Sequence, residues 1–126
     1  MKTILVIDDE ELVIKSVEKL LRREGYKVII CRQGIEAIEI VKKQDVNLIV
    51  CDIRMPNLSG IETIKAIRDL TRQRSQQQIP EILITGYADR EADEEAEKLE
   101  VSDYLYKPFD LRDFLSSIKK NIGDEK

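Results

Sequence analysis

The chain has 126 residues, of which 42% are hydrophobic and 37% are charged, and its formal net charge is −4. This length and composition predict one globular domain with a sizeable core and exclude a disordered chain. The acidic balance argues against direct nucleic-acid binding, which requires a clustered positive surface. No segment has the length of a membrane span, and the acidic start is unlike a signal peptide, so we expect a cytoplasmic protein without membrane contact.

Five short apolar segments predict strands at residues 3–8, 27–31, 47–52, 81–85 and 103–106. These segments are apolar on both faces, which is typical of a parallel sheet covered on both sides. Segments of helical period follow the strands. The alternation predicts an α/β fold, with a single doubly wound, open parallel sheet and helices on both faces.

Four of the five predicted helices carry a clear apolar face. These faces are Val13, Val17, Leu20 and Leu21; Ile35, Ile38 and Val41; Ile61, Ile64 and Ile67; and Leu111, Phe114, Leu115 and Ile118. The fourth helix, at 88–100, has only a thin stripe formed by Ala88, Ala92, Ala96 and Leu99, so we expect weak anchoring. The polar segment 71–80 is interpreted as a solvated connection.

Acidic, hydroxyl and cationic residues follow four of the five strands: Asp8 and Asp9, Asp52, Thr85, and Lys107. In open parallel sheets, ligands bind beyond the carboxyl ends of the strands. Two carboxylates ~4 Å apart repel by about 4 kcal/mol at an effective dielectric near 20, so a cation must balance them. Lys107 supplies one positive charge, and Mg²⁺ suits oxygen ligands of this kind. A carboxylate held here is also a suitable nucleophile towards phosphorus.

Each of these residues also has a simpler interpretation. Asp9 or Glu10 alone could be a helix N-cap, Thr85 a turn residue and Lys107 a solvated lysine. The chain has no histidine, which removes the commonest general base and phospho-carrier. Its two cysteines, Cys31 and Cys51, are predicted to be reduced and buried.

The sequence resembles the receiver domain of two-component response regulators, which has a flavodoxin-like fold. The resemblance is carried by "ILVIDDEE", "DIRMPNLSGIE", "LITGYA" and "DYLYKPF", and it extends over essentially all of residues 1–126. It implies the strand order 2-1-3-4-5. It also implies that Asp52 is phosphorylated, and that Asp8, Asp9, Asp52 and the main-chain carbonyl of Arg54 bind Mg²⁺, for which Mn²⁺ can substitute.

The same resemblance implies that Thr85 and Lys107 contact the phosphoryl group and that Tyr104 changes rotamer as Thr85 moves. It implies a cis peptide before Pro108. The phosphoryl donor is then a histidine kinase or a histidine phosphotransfer protein, and the chain is a regulator rather than an enzyme, assisting only its own phosphorylation and slow dephosphorylation. The signal would leave through the fourth helix, fifth strand and fifth helix, towards an output domain or protein or a dimer partner.

Three alternatives stay open at this point. A receiver-shaped interaction module that does not switch has the same fold. A phosphatase using an aspartyl phosphate usually needs a second carboxylate two residues after the nucleophile, where Arg54 stands. A flavin-binding domain would need a hydroxyl- and glycine-rich loop in place of "DDEELV". We further hypothesise that the large side chains of Arg54 and Tyr87 shield an aspartyl phosphate from water and prolong its lifetime to many minutes.

Overall fold

The structure, a computed structural model, describes residues 1–86 and 90–124. For residues 90–92 it describes the backbone only. Within these residues the strands are β1 (Thr3–Ile7), β2 (Lys27–Cys31), β3 (Leu48–Asp52), β4 (Glu81–Gly86) and β5 (Asp103–Lys107). The helices are α1 (Glu11–Arg23), α2 (Gly34–Lys43), α3 (Gly60–Gln73), α4 (Arg90–Leu99) and α5 (Leu111–Ile122). All paired strands are parallel, in the order β2-β1-β3-β4-β5, so the predicted α/β, flavodoxin-like fold is confirmed.

The sheet separates two apolar clusters. Ile4 and Val6 of β1 face the cluster that includes residues of α1 and α5, whereas Leu5 and Ile7 face the cluster formed with α2, α3 and α4. Side chains alternate between the two faces along every strand. The position of a polar residue along its strand therefore decides which helices lie next to it.

The predicted apolar face of α3 is confirmed, because Ile61, Ile64 and Ile67 are all buried. Two residues assigned to helix faces are exposed instead, Ile35 by 58% and Leu111 by 40%. The buried residues of α2 are Gly34, Ala37 and Val41. A Cβ at Gly34 would lie 2.0 Å from Thr63 Oγ1, so glycine allows α2 to approach α3 closely. Because the Gly34 side of α2 faces α3, Ile35 lies on the outer surface. The prediction that Ile35 belongs to the apolar face of the helix is therefore wrong.

Other predictions near the helices have mixed outcomes. Ala96 and Leu99 of α4 are buried, whereas Ala88 and the side chain of Ala92 lie outside the described part of the chain. The helix α3 extends to Gln73, so the predicted loop 71–80 begins too early. Thr71 is buried and donates a hydrogen bond to the carbonyl of Arg68, which keeps it in the helix.

Both cysteines are free and buried, as predicted. Burial, with a smaller effect of Glu36, raises the pKa of Cys31 to about 11. Burial also raises the pKa of Cys51, with Asp52 adding to the effect. Among the described residues, no helix is long and apolar enough to cross a membrane.

Candidate functional site

Asp52 lies at the end of a fully buried strand. It is the last residue of β3 and is only 5% exposed. The chain after it is fixed by hydrogen bonds from Ile53 N to the Ile84 carbonyl and from Gly60 N to the Ile53 carbonyl, the latter 2.8 Å long. A Cβ at Gly60 would lie 2.2 Å from the Asp52 carbonyl oxygen. Glycine at this position therefore lets α3 begin directly against the backbone of Asp52.

The first turn of α3 is also held by its own sequence. The Ser59 hydroxyl accepts a hydrogen bond from Glu62 N, and the Glu62 carboxylate accepts one from Ser59 N. This reciprocal capping box satisfies two otherwise unpaired amide groups at the start of the helix. The loop between Asp52 and α3 is thus fixed at both ends.

Three carboxylates converge at this edge of the sheet. Asp8, Asp9 and Asp52 each present an oxygen, and these oxygens lie within 4.8 Å of one another. Asp8 and Asp52 are buried, whereas Asp9 is exposed. Asp8 and Asp52 continue the strand positions that face α1 and α5, which explains why they meet although they are 44 positions apart in the sequence.

Lys107 supplies a positive charge that partly balances these carboxylates. Its Nζ lies 3.2 Å from Asp52 Oδ2, 3.3 Å from Asp8 Oδ2 and 2.7 Å from Glu10 Oε1. Glu10 precedes α1 but makes no side-chain capping bond, because its carboxylate turns towards Lys107. Sequence reasoning considered Glu10 only as a possible cap and missed this contact. The signal available was a third acidic residue directly after Asp8 and Asp9.

Burial and the neighbouring charges shift the pKa values of the site residues. Burial, reinforced by the charge of Asp8, raises the pKa of Asp52 to about 6, although Lys107 acts in the opposite direction. Burial also raises the pKa of Asp8, against the hydrogen bond from Glu10 N and the charge of Lys107. Burial alone would lower the pKa of Lys107, but its hydrogen bond to Glu10 and the charges of Asp52 and Asp8 raise it. The cluster thus carries more negative charge than one lysine balances.

The donor set fits a divalent cation. Asp8 Oδ1 accepts hydrogen bonds from Glu10 N and, at 3.5 Å, from Lys107 Nζ. The buried Asp8 Oδ2 lies 3.3 Å from the Lys107 ammonium group but accepts no hydrogen bond. A buried carboxylate oxygen without a hydrogen bond is costly unless it serves another purpose. Together with the carboxylates of Asp9 and Asp52, it offers the oxygen ligands that Mg²⁺ prefers. Arg54, whose carbonyl was predicted as a further ligand, follows β3 with an exposed side chain.

Thr85 and Tyr104 lie on the other face of the sheet edge. Thr85 is fully buried near the end of β4, and its hydroxyl donates to the Gly86 carbonyl at 3.5 Å. Tyr104 is paired with Leu83 in the β4–β5 register and packs against the cluster on the α2, α3 and α4 side. The structure therefore brings Asp8, Asp9, Asp52 and Lys107 together, and it places Thr85 and Tyr104 next to each other on the side of α4.

Two further predicted features have different outcomes. The peptide bond before Pro108 is cis, as predicted. Tyr87, which we hypothesised to shield the acceptor together with Arg54, lies outside the described residues.

The comparison with known proteins shows the family to which this chain belongs. The family model described as "Response regulator receiver domain" matches residues 4–119. The chain belongs to the response regulator receiver family. The curated protein "Polar-differentiation response regulator DivK" of Brucella ovis is 31% identical over 123 residues, which covers 98% of this chain and 98% of DivK.

Solved receiver domains share the fold over nearly their whole length. The receiver domain of Ssk1 from Saccharomyces cerevisiae, solved with the histidine phosphotransfer protein Ypd1, has a TM-score of 0.86 and 26% identity, covering 95% of this chain and 88% of that one. The receiver domain of the sensor histidine kinase PA1611 from Pseudomonas aeruginosa PAO1 has a TM-score of 0.81 and 27% identity, covering 96% and 97%. That structure holds a magnesium ion in its active-site cleft.

Proposed function

We propose that this receiver domain is the phosphoacceptor switch of a two-component or phosphorelay system. An Asp52 carboxylate oxygen attacks the phosphorus of a phosphohistidine on a histidine kinase or histidine phosphotransfer protein. The new O–P bond forms as the N–P bond breaks, and the histidine imidazole leaves. The observation that carries this proposal is the Asp52 carboxylate at the end of a buried strand, 3.2 Å from the Lys107 ammonium group and beside Asp8 and Asp9.

Asp8, Asp9, Asp52 and the Arg54 carbonyl would hold Mg²⁺ or, in its place, Mn²⁺. When bound, the metal neutralises negative charge on the phosphoryl oxygens. Lys107 contributes the same kind of neutralisation from the protein. The buried Asp8 Oδ2, which accepts no hydrogen bond, supports the assignment of this metal site.

The signal would leave on the other face of the sheet. An aspartyl phosphate adds charge and acceptor oxygens at Asp52, and these would attract the Thr85 hydroxyl. Movement of Thr85 would in turn change the packing of Tyr104, because both side chains lie on the α4 side of the sheet. The surface of α4, β5 and α5 is then the proposed contact for an output domain or protein, or for a second copy of the chain.

Intact mass after incubation with acetyl phosphate and Mg²⁺ tests the acceptor assignment. We expect a single added phosphoryl group that is absent in Asp52→Asn and present in Asp45→Asn, an exposed acidic residue outside the site. A second incubation uses a phosphorylated histidine phosphotransfer protein as the donor. Absence of phosphorylation with both donors would favour the receiver-shaped module that does not switch.

Thermal unfolding with added Mg²⁺ tests the metal site separately. We expect Mg²⁺ to raise the midpoint of the wild type, because it relieves the repulsion among three carboxylates. Asp9→Asn should lose most of this shift, and Asp45→Asn should keep it. Equal shifts in all three proteins would contradict the proposed ligands.

A further inference from the structure

One carboxylate on α4 holds two tyrosine hydroxyls of β5. The Tyr104 hydroxyl donates a hydrogen bond to Asp93 Oδ1, and the Tyr106 hydroxyl donates one to Asp93 Oδ2 at 3.3 Å. The two rings also contact each other, edge to face, with centroids 5.1 Å apart. Asp93 therefore connects α4 to both tyrosines of the strand that runs towards Lys107.

The same contact reaches the proposed switch residue. Thr85 is paired with Tyr106 in the register of β4 and β5. Tyr104 is two residues before Tyr106 and therefore lies on the same face of the sheet. Burial and the hydrogen bond to Asp93 raise the pKa of Tyr104, whereas a hydrogen bond with the Thr85 side chain lowers it. The Tyr104 hydroxyl therefore stays protonated and remains a hydrogen-bond donor to Asp93.

Space for a different arrangement of Tyr104 exists beside this contact. A cavity of about 300 Å³ lies between α4 and β5, and its lining includes Asp93, Ala96, Val101, Tyr104 and Tyr106. A Tyr104 ring that changed rotamer would have to leave the Asp93 carboxylate. The hydrogen bond to a carboxylate is stronger than one between neutral groups, so this departure carries an energetic cost.

We propose that Asp93 is a positioning residue that holds Tyr104 in the arrangement of the unphosphorylated domain, so that phosphorylation must break the Asp93–Tyr104 hydrogen bond. This inference rests on the proposed role of Asp52 and Tyr104. Asp93, a residue of α4, would oppose the movement of Tyr104 that accompanies activation. Because the bond joins α4 to β5, breaking it also alters the surface that the output partner would contact.

A double-mutant cycle on the rate of phosphorylation by acetyl phosphate tests the proposal. We expect Asp93→Ala to be phosphorylated about fivefold faster than the wild type, the effect expected from loss of its hydrogen bond with Tyr104. Tyr104→Phe, which lacks the hydroxyl, should show the same increase, and the double variant should be no faster than either single variant. Tyr106→Phe, which removes only the other hydrogen bond to Asp93, should keep the rate of the wild type. A purely structural role of Asp93 would give additive effects, which would overturn the proposal.

Matched variants separate the possible failures. Glu97→Ala removes the same charge from the same helix and lines the same cavity, so its rate should equal that of the wild type. If Asp93→Ala does not fold, the comparison of Tyr104→Phe with Tyr106→Phe replaces it, with an increase expected only in Tyr104→Phe. A wild type that is phosphorylated on Asp52, with variants that are no faster, would overturn the role of Asp93 alone. A wild type that is not phosphorylated would instead overturn the proposed function.

Discussion

Glu10 Oε1 lies 2.7 Å from Lys107 Nζ, closer to the ammonium group than Asp52 Oδ2 at 3.2 Å. Glu10 is an exposed residue, whereas the Lys107 side chain is only 16% exposed. The lysine that we propose to contact the phosphoryl group is therefore shared with a carboxylate at the rim of the site. A phosphoryl group on Asp52 would therefore compete with Glu10 for Lys107.

We expect Glu10→Gln to be phosphorylated by acetyl phosphate about two- to fivefold faster than the wild type, the range expected from one exposed ion pair. The substitution removes a competitor for Lys107 and one negative charge that repels the anionic donor. The matched control is Glu11→Gln, because Glu11 pairs with Arg32 at 2.6 Å and not with Lys107. An equal increase in both variants would indicate a general charge effect and contradict a specific competition.

Arg54 offers a test of the lifetime of the phosphorylated state. If its large side chain shields the phosphoryl group, Arg54→Ala should lose phosphate several times faster than the wild type after removal of the donor. Arg54→Met keeps the bulk of the aliphatic part of the side chain without its charge and should stay slower than Arg54→Ala. The loss is followed by intact mass, with Tyr87→Ala measured in parallel. Unchanged rates in both alanine variants would reject the shielding hypothesis.

The ion pair between Arg68 and Glu81 predicts a large effect on stability. Glu81 is only 1% exposed and accepts two hydrogen bonds from the Arg68 guanidinium group. Arg68→Met leaves that carboxylate buried without its partner, so we expect a loss of about 3–5 kcal/mol in the free energy of unfolding. The double variant Arg68→Met/Glu81→Leu should recover most of it. Urea unfolding measures both, and a double variant as unstable as the single one would contradict this explanation.

Asp103 predicts a dependence of stability on pH. Burial alone would raise its pKa, but hydrogen bonds from Ser117 and Tyr104 N and the nearby Lys120 lower it overall. A carboxyl group whose pKa is lower in the folded state stabilises the fold above its unfolded pKa, near 3.9, and loses this contribution as pH falls through the folded pKa.

The wild type should therefore be more stable than Asp103→Asn at pH 7, by about 1 kcal/mol. The difference should begin to shrink below about pH 4 and be smallest below the lowered pKa of the folded state. Ser117→Ala, which removes one donor, should show a smaller effect of the same sign. Chemical denaturation across this pH range measures the effect, and a difference that does not depend on pH would refute it.

The polar residues at the strand ends could be predicted from sequence because strand order and side-chain alternation leave them little freedom. Once Asp8 and Asp52 end neighbouring parallel strands, they must share one edge of the sheet. Lys107 follows the fifth strand, so the same reasoning placed it at this edge. These positions depend on backbone topology, which the apolar segments specify strongly.

What the sequence did not predict depends on the packing of particular side chains. The close approach of α2 to α3 at Gly34 turned Ile35 outwards, and hydrophobic period alone cannot reveal such a contact. The contact of Glu10 with Lys107 and the pairing of Asp93 with Tyr104 each depend on a rotamer choice. The type of a residue and its position in the sequence do not determine which of several nearby side chains it contacts.

The burial of both native cysteines makes the chain convenient for site-specific labelling. Thiol reagents attack the thiolate, and the pKa of Cys31 is raised to about 11, so neither buried thiol should be modified near neutral pH. Gly86 follows Thr85 directly, is exposed, and has room for a side chain, since no described atom lies within 4 Å of a Cβ added there. A fluorophore on Gly86→Cys would thus report movement next to Thr85 in real time, with both native cysteines left in place.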